Sequence, residues 1–393
     1  MKRKYELLAP AGDFSMLSAA VRAGADAVYF GLKEFSMRDN AKNFSINDLD
    51  KINKICGKKV KKYLTLNVII YEDEIKKIEK IIWRVKNKVD AIICWDISVV
   101  RLCSKWEIPF HISTQASVSN SEAAKFYKNL GAERVVLARE LNLAQIKEIS
   151  KIVPVECFIH GAMCVAVSGR CFMSQELFGR SANRGMCTQV CRRSYIVRDD
   201  EGRELRVNRS TVLSAKDLCA LPFVDKLKKA GIVSFKIEGR NRDARYVDTV
   251  VRVYRKALDK NLTKSEVEEG LKELGKVYNR GFSSGFYLGV PTNDDFSTVE
   301  NSAATTGKKF VGKVTHYYPR PGVGTISILS GSLKVGDEIA IIGNTTGIEN
   351  VKIERMEIAK NAVSEASKGE EVGIKLQRVR EGDDVYIIVA KNK

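Results

Sequence analysis

The chain has 393 residues, 44% of them hydrophobic, and its lysines and arginines outnumber its aspartates and glutamates by eighteen. This length is sufficient for one large domain and a smaller one, each with its own apolar core. The apolar runs are too short to cross a bilayer and no hydrophobic export signal begins the sequence, so we expect a cytoplasmic protein without a membrane partner. The basic charge predicts an acidic partner, most simply nucleic acid, although a lysine-rich surface that serves only solubility gives the same composition.

Short apolar runs alternate with helical patterns through the first two thirds of the chain. Each run ends in a polar residue or glycine, and the intervening stretches, such as 15–23 and 73–86, have apolar residues at helical spacing. Eight such units favour a closed TIM-like (β/α)8 barrel, an α/β fold, over an open doubly wound sheet, which stays the alternative. The eight runs are 6–12, 26–31, 62–67, 90–96, 109–115, 134–140, 155–161 and 233–240.

Polar and charged residues stand where these predicted strands end. The carboxyl ends of barrel strands meet on one face, where reactive groups collect, so we expect a polar and partly cationic pocket there. Any one of these residues can instead be a helix cap or a partner in an ion pair. The expected catalytic residues are His160, Glu238 and Gln115, the expected substrate-binding residues are Arg38, Asn67, Lys236 and Arg240, and the remaining strand-end residues are Asn40, Asp96 and Glu140. Arg240 is assigned to anion binding because its planar guanidinium matches a carboxylate or a phosphate.

Six of the nine cysteines lie in one arginine-rich segment, 156–219, and five of them have polar surroundings; these five are Cys164, Cys171, Cys187, Cys191 and Cys219. Thiolates bind iron and guanidinium groups bind phosphates and carboxylates, so the segment predicts a soft-metal or iron-sulfur centre beside an anionic substrate. The chain has no CxxC motif, which disfavours a zinc ribbon, and its odd number of cysteines disfavours a disulfide framework. Inert buried thiols are the remaining alternative, and we adopt it for the four cysteines in apolar surroundings, Cys56, Cys94, Cys103 and Cys157.

The pattern changes after the eighth run. Segments 242–258 and 264–274 have helical spacing, and from Lys308 onward short strands are separated by turns, which predicts a small antiparallel β-barrel. We expect a barrel domain (1–262), a helical connector (263–307) and the small β-barrel (308–393). The short strands are 310–317, 324–330, 337–342, 351–358, 371–376 and 384–389. The sequence GSLKVGD at 331–337 and SKGE at 367–370 resemble the second domain of elongation factor Tu, which implies a docking module, with RNA as one candidate.

Longer motifs carry a second resemblance. They are ECFIHGAMC at 156–164, SGRCFMS at 168–174, NRGMCTQVCR at 183–192, SAKDLC at 214–219, KIEGR at 236–240, and the shorter APAG at 9–12 and STQ at 113–115. Together they resemble peptidase family U32, the collagenase-like peptidases, over residues 5–260. The chain departs from the family at Ser181, where aspartate is frequent, and at Val190, where proline is frequent.

The resemblance implies two kinds of activity. Some members of the family are described as proteases, whereas others hydroxylate RNA bases, including the tRNA wobble uridine, or hydroxylate ubiquinone with a four-iron cluster. The chain has no HExxH, no GxSxG and no evident Ser/His/Asp set, so a protease would need an unrecognised mechanism. The hydroxylases imply a 4Fe-4S cluster on Cys164, Cys171, Cys187 and Cys219, with Cys191 as the substitute ligand. They also imply prephenate as a cosubstrate, whose two carboxylates suit Arg38, Lys236 and Arg240.

We therefore expect an iron-sulfur enzyme that hydroxylates the tRNA wobble uridine to 5-hydroxyuridine with prephenate as cosubstrate. Two alternatives stay open, a peptidase that acts on collagen-like or other unfolded chains, and a noncatalytic RNA-binding accessory protein. Cluster-dependent activity separates the accessory protein from the enzyme. Assembly as a homo-oligomer, or as a hetero-oligomer with a family relative, is a further expectation.

Overall fold

The structure, a computed structural model, describes residues 3–38, 41–193, 195–207, 213–299 and 301–391. It begins with seven parallel strands that alternate with helices. The strands are runs of buried apolar residues because both faces of a parallel sheet are covered. The strands are β1 (Glu6–Ala11), β2 (Ala27–Gly31), β3 (Lys61–Leu66), β4 (Ala91–Cys94), β5 (Phe110–Ile112), β6 (Arg134–Val136) and β7 (Val155–Gly161), and the helices are α1 (Phe14–Ala23), α2 (Leu49–Cys56), α3 (Ile75–Val85), α4 (Ile97–Lys105), α5 (Ser121–Asn129) and α6 (Leu143–Ser150).

The chain leaves the barrel after β7 and returns to it with the eighth strand. The described residues between 162 and 233 form this excursion, which contains the part of the cysteine-rich segment that follows β7. Its elements are α7 (Met173–Phe178), β8 (Tyr195–Arg198), β9 (Glu204–Val207), β10 (Asp217–Cys219) and α8 (Val224–Lys229), and the strand that follows is β11 (Ser234–Ile237). Strand β11 pairs in parallel with both β7 and β1, so the sheet closes on itself. The predicted closed barrel of eight strands is confirmed.

Several strands end earlier than their apolar runs predict. The run at 109–115 contains only three residues of ladder, and the run at 134–140 contains three as well. Hydrogen bonding between parallel strands stops where the chain turns into the loop that leads to the next helix. The last residues of these runs therefore lie in the loops at the carboxyl end of the barrel.

Two helices and a short strand follow the barrel. They are α9 (Ala244–Asp259), α10 (Lys264–Lys276) and β12 (Phe282–Ser283), and both helices were predicted. Asp243 is the N-cap of helix α9, and its carboxylate accepts a hydrogen bond from the Tyr246 backbone N–H. Its buried face packs against α1 and β1. No helix in the described part of the chain combines the length and the apolar character that a membrane crossing requires.

The C-terminal part forms antiparallel sheets, as predicted. Its strands are β13 (Thr306–Tyr318), β14 (Val323–Ile328), β15 (Ser332–Lys334), β16 (Glu338–Gly343), β17 (Gly347–Lys352), β18 (Met356–Ile358), β19 (Asn361–Val363), β20 (Glu365–Ser367), β21 (Glu371–Lys375) and β22 (Asp384–Ala390). The single strand predicted at 351–358 is wrong. Ile353 exchanges backbone hydrogen bonds with Gly336 and Asp337, which divides the run between β17 and β18.

This C-terminal part packs directly on the outside of the barrel. Ala19 of α1 and Ala244 of α9 share a small apolar cluster with Ala340 and Ile348. The Ser18 hydroxyl donates a hydrogen bond of 2.6 Å to the backbone carbonyl of Asn344. Small residues on the two helices permit this close contact, which holds the C-terminal part against the barrel.

Charged side chains alternate through the interior of the barrel. Glu6 forms an ion pair with Arg134, which lies 3.2 Å from Glu156, and Glu156 in turn pairs with Lys236 at 2.8 Å. Burial raises the pKa of Glu156, but the charges of Lys236 and Arg134 outweigh burial and lower the pKa. Because Glu6 begins β1 and Lys236 lies late in β11, the chain of charges runs from the amino end of the barrel towards its carboxyl end.

Glu156→Gln should destabilise the protein by about 3–5 kcal/mol, because it leaves Arg134 and Lys236 buried without the negative charge that they share. The control is Glu148→Gln, which removes one partner of an exposed ion pair with Lys151 and should change stability by at most about 0.5 kcal/mol. Urea unfolding followed by circular dichroism measures both. Equal stability of the two variants would contradict an energetic role for the buried charges.

Candidate functional site

A cavity of about 130 Å³ lies at the carboxyl end of the barrel. Strand-end residues of the barrel line it together with residues of the excursion between Ala162 and Arg192. This end is where barrel enzymes place their reactive groups, since the loops from several strands converge there. The cavity is therefore the candidate functional site.

The structure brings most of the predicted site residues to this cavity. Those that line it are Arg38, Asn67, Gln115, Cys164, Cys171, Cys187, Cys191, Lys236, Glu238 and Arg240. Two predicted residues, His160 and Cys219, do not line it. Of the other strand-end residues, Asp96 caps helix α4, Glu140 is exposed, and Asn40 lies outside the described residues.

The cavity is strongly cationic. Among the described residues that line it, six are basic and one, Glu238, is acidic; the basic residues are Arg38, Arg139, Arg192, Lys236, Arg240 and Arg242. Glu238 forms an ion pair of 3.1 Å with Arg38. Burial raises the pKa of Glu238, but Arg38, Arg139 and Arg240 outweigh burial and lower the pKa to about 2. A carboxylate with such a pKa stays ionised at neutral pH, so it orients Arg38 more readily than it transfers a proton.

Arg240 is buried without a carboxylate partner within 4 Å among the described residues. Its guanidinium donates hydrogen bonds to the hydroxyls of Ser36 at 2.6 Å and Thr65 at 3.0 Å. Burial lowers the pKa of Arg240 to about 10, which still leaves it charged at neutral pH. A buried cation whose protein partners are neutral is a site where an anionic ligand gains energy.

Two further arginines were missed by the sequence analysis. Arg139 stacks on the ring of Phe158 at 3.9 Å, and its buried Nε atom has no hydrogen-bond partner among the described residues. Arg192 is held by the backbone carbonyls of Met163 at 2.5 Å and Ala215 at 2.7 Å. The run at 134–140 predicted Glu140, its last residue, as the strand-end group. Strand β6 ends at Val136, however, and Arg139 lines the cavity instead of Glu140.

Neutral polar groups form another part of the lining. The Asn67 amide donates hydrogen bonds of 3.3 Å to the Ser113 hydroxyl and to the Gln115 side-chain oxygen, and Ser113 also bonds to Gln115. Arg170 donates a hydrogen bond of 2.8 Å to the backbone carbonyl of Gln115. Gln115 is thus fixed at the cavity, where its amide can hydrogen-bond a ligand but cannot act as a general acid or base at neutral pH.

His160 lies on the outer side of the barrel, contrary to its predicted catalytic position. Simple alternation along β7 would point it inward with Glu156 and Phe158, but the register with β11 shifts next to His160. Its ring instead packs against Tyr254 of α9, with Nδ1 3.4 Å from the phenol oxygen. Burial lowers the pKa of His160 to about 3, so the imidazole stays neutral.

No histidine lines the described part of the cavity. His111 packs against Tyr63 inside the barrel, and His316 pairs with Glu381 in the C-terminal part at 2.5 Å. A cysteine or serine nucleophile of a peptidase is normally activated by an adjacent base such as histidine. The described cavity therefore offers four thiols but no histidine base for them.

Four cysteines of the excursion share the cavity, and Cys191 is among them. Burial raises the pKa of the Cys191 thiol, and the neighbouring Cys164, Cys187 and Cys171 raise it further. Cys219 lies on β10, where the Tyr254 hydroxyl donates to its sulfur at 3.6 Å, and burial raises its pKa to about 11. The structure thus groups Cys191, rather than Cys219, with the other three cysteines.

The excursion packs closely against the loop after β2. Gly185 has a φ of +92°, and a Cβ atom there would lie 2.5 Å from the carbonyl oxygen of Ser36. Only glycine permits this approach. The contact fixes the segment that contains Cys187 beside Arg38.

The thiols of the four cysteines are the type of ligand that iron-sulfur clusters use. Among the described residues, no three His, Cys, Asp or Glu side chains converge closely enough to hold one metal ion. A four-iron cluster takes one thiolate per iron and therefore uses sulfurs that are spread around it. Four thiols on a shared cavity that is rich in arginine match this donor set, since the cations offset the negative charge of the thiolates.

Comparisons with known proteins agree on the family and differ on the activity. The sequence profile of peptidase family U32 matches residues 12–296, and that of elongation factor Tu domain 2 matches residues 322–383. A Porphyromonas gingivalis protein named collagenase is 40% identical, with 97% of each chain covered. A tRNA hydroxylation protein of Bacillus subtilis is 36% identical over 87% of this chain and 84% of its own. A 23S rRNA 5-hydroxycytidine synthase of Escherichia coli is 41% identical over 65% of this chain and 39% of its own.

Proposed function

The chain belongs to peptidase family U32, and we propose that it is an iron-sulfur enzyme that hydroxylates RNA, with the tRNA wobble uridine as its target. The observation that carries this proposal is the cavity in which four cysteines and six basic residues meet. Relatives named for hydroxylation of tRNA and of rRNA support RNA as the substrate class. The net charge of +18 supports it as well, because RNA is a polyanion.

Prephenate is proposed as the cosubstrate because the resemblance to the RNA hydroxylases of the family implies it, and the cavity is suited to a small dicarboxylate. Arg240 has only neutral partners among the described residues, and Arg139 has a buried Nε without one. Two guanidinium groups can each bind one carboxylate through paired hydrogen bonds. Arg38 is already paired with Glu238 and Lys236 with Glu156, so these two cations mainly add positive potential.

Cys164, Cys171, Cys187 and Cys191 are the proposed ligands of a 4Fe-4S cluster. When bound, the cluster would supply the one-electron transfers that oxidation of a base requires. The chain's own residues hold the reactants. The arginines bind the anions, and the Asn67, Ser113 and Gln115 network offers hydrogen-bonding groups to the edge of a base.

The peptidase alternative has the names of relatives in its favour but lacks support from the cavity. A cysteine peptidase needs a base beside its thiol, and none of the three histidines lines the cavity within the described residues. A noncatalytic RNA-binding protein needs no cluster. Iron content and RNA modification therefore separate the three alternatives.

The choice of the fourth ligand gives a direct test of the cluster. Protein purified without oxygen should be brown and contain close to four irons per chain, as a 4Fe-4S cluster requires. Cys191→Ser should lose most of this iron because serine is a poor ligand for a soft metal site. Cys219→Ser is the matched control and should retain it, since Cys219 does not line the cavity. Iron and acid-labile sulfide analysis measures both, and the reverse result would return the fourth position to Cys219. Colourless wild-type protein with stoichiometric zinc would exclude the cluster.

Arg240→Lys tests the anion site. Lysine keeps the positive charge but loses the planar pair of donors, so hydroxylated nucleoside should fall by about tenfold or more. Nucleoside mass spectrometry of tRNA from a complemented deletion strain measures the product, and iron content shows that the cluster is intact. Arg101→Lys, an exposed site on helix α4, is the control and should restore full modification. Full modification by Arg240→Lys would show that paired donation by Arg240 is not needed.

A further inference from the structure

We propose that the rim of the cavity binds the unpaired RNA nucleotides that flank the target base, by stacking them on exposed aromatic side chains. The rim is defined as Val167, Arg170, Phe172 and Arg193, each next in sequence to a residue that lines the cavity, together with Phe178, whose ring centre lies 4.6 Å from the Arg193 guanidinium. This inference rests on the proposed function, because it takes RNA as the substrate and adds that the rim binds unpaired nucleotides of that RNA. Of these side chains, only Arg170 belongs to the site described above, where it holds the backbone of Gln115.

Exposed apolar side chains are concentrated in the excursion. Of the twenty large hydrophobic residues that are exposed in the described chain, eight lie between residues 165 and 205; they are Val165, Val167, Phe172, Leu177, Phe178, Ile196, Val197 and Leu205. Phe172 is 75% exposed and follows directly on Cys171, which lines the cavity. Such a concentration of exposed apolar side chains in one segment indicates an interaction surface.

Positive charge accompanies this apolar surface. Between Cys164 and Arg193 the sequence contains five arginines and one acidic residue, Glu176. The Arg193 guanidinium lies 4.6 Å from the ring centre of Phe178, and that of Arg170 lies 5.3 Å from the ring of Trp95. Neither arginine forms an ion pair with a described carboxylate within 4 Å. Aromatic rings beside unpaired guanidinium groups complement bases and phosphates together, whereas an apolar protein partner would leave these charges unmatched.

The position of the cavity explains why the nucleotides should be unpaired. The cysteines and arginines lie in the cavity at the end of the barrel, and an enzyme cannot reach the reactive atoms of a base that is paired and stacked in a helix. The target base must therefore leave any helix before it reaches the cysteines, and its neighbours lose stacking partners when it does. Exposed rings at the rim can replace that stacking for bases of any identity.

The test compares a hairpin RNA with an unpaired loop and a fully paired duplex of the same base composition. Fluorescence anisotropy measures the affinity of the anaerobically purified protein for each RNA. Phe172→Ala and Phe178→Ala should each weaken binding of the loop by about 5- to 100-fold, the range expected for loss of one stacked base. Their weak binding of the duplex should not change. Phe172→Trp should bind the loop at least as well as the wild type, because it keeps a stacking surface.

The control is Trp83→Ala. Trp83 is 61% exposed, but it lies near the C-terminal end of α3, at the opposite end of the barrel from the cavity. The Trp83→Ala variant should bind both RNAs with the affinity of the wild type. Iron content and the thermal midpoint of every variant should match those of the wild type, which excludes unfolding as the cause of weak binding.

The possible results separate this inference from the proposed function. If the phenylalanine variants bind loop RNA like the wild type while the wild type still modifies RNA, the inference is wrong and the proposed function stands. If the wild type binds neither RNA, both fail. If the wild type is a dimer that Phe172→Ala dissociates, with RNA binding unchanged, the rim joins two copies of the chain and the inference is again wrong.

Discussion

The balance of buried charge at the carboxyl end of the barrel determines what this protein can bind. Inside the barrel, Glu6 and Glu156 neutralise Arg134 and Lys236, and at the cavity Glu238 neutralises Arg38. Among the described residues, the remaining guanidinium groups of the cavity contact carbonyls, hydroxyls and aromatic rings, and none lies within 4 Å of a carboxylate. Buried cations with neutral partners are costly unless a ligand brings negative charge. The barrel is therefore built to receive anions at this end.

The thiols and the arginines belong to one arrangement. Thiolates and a small dicarboxylate both bring negative charge, and the surplus of arginine offsets it. The excursion between β7 and β11 makes this possible because it carries four cysteines to the mouth of a barrel whose own strands supply the cations. Gly185, packed against the carbonyl of Ser36, joins the two parts where Cys187 approaches Arg38. Under the proposed function, electron transfer and anion binding occur within this single cavity.

Local patterns in the sequence predicted the fold and most of the cavity. The eight barrel strands were visible as apolar runs because both faces of each strand are buried, and the last residues of those runs include Asn67, Gln115 and Arg240. His160 could not be placed in this way, since a register shift between β7 and β11 reverses its direction and nothing in the composition of β7 reveals it. Spacing alone also could not choose between Cys191 and Cys219, because the choice depends on how the excursion folds back over the barrel. Arg139 was missed for a related reason, namely that the ladder of β6 ends before the apolar run does.

The most direct measurement is nucleoside mass spectrometry of tRNA and rRNA from a strain of the source organism in which this gene is deleted. We expect one hydroxylated pyrimidine, 5-hydroxyuridine in tRNA, to disappear from the deletion strain and to return when the wild-type gene is restored. RNA with an unchanged set of modified nucleosides, together with cleavage of gelatin by the purified protein, would contradict the assignment and favour a peptidase.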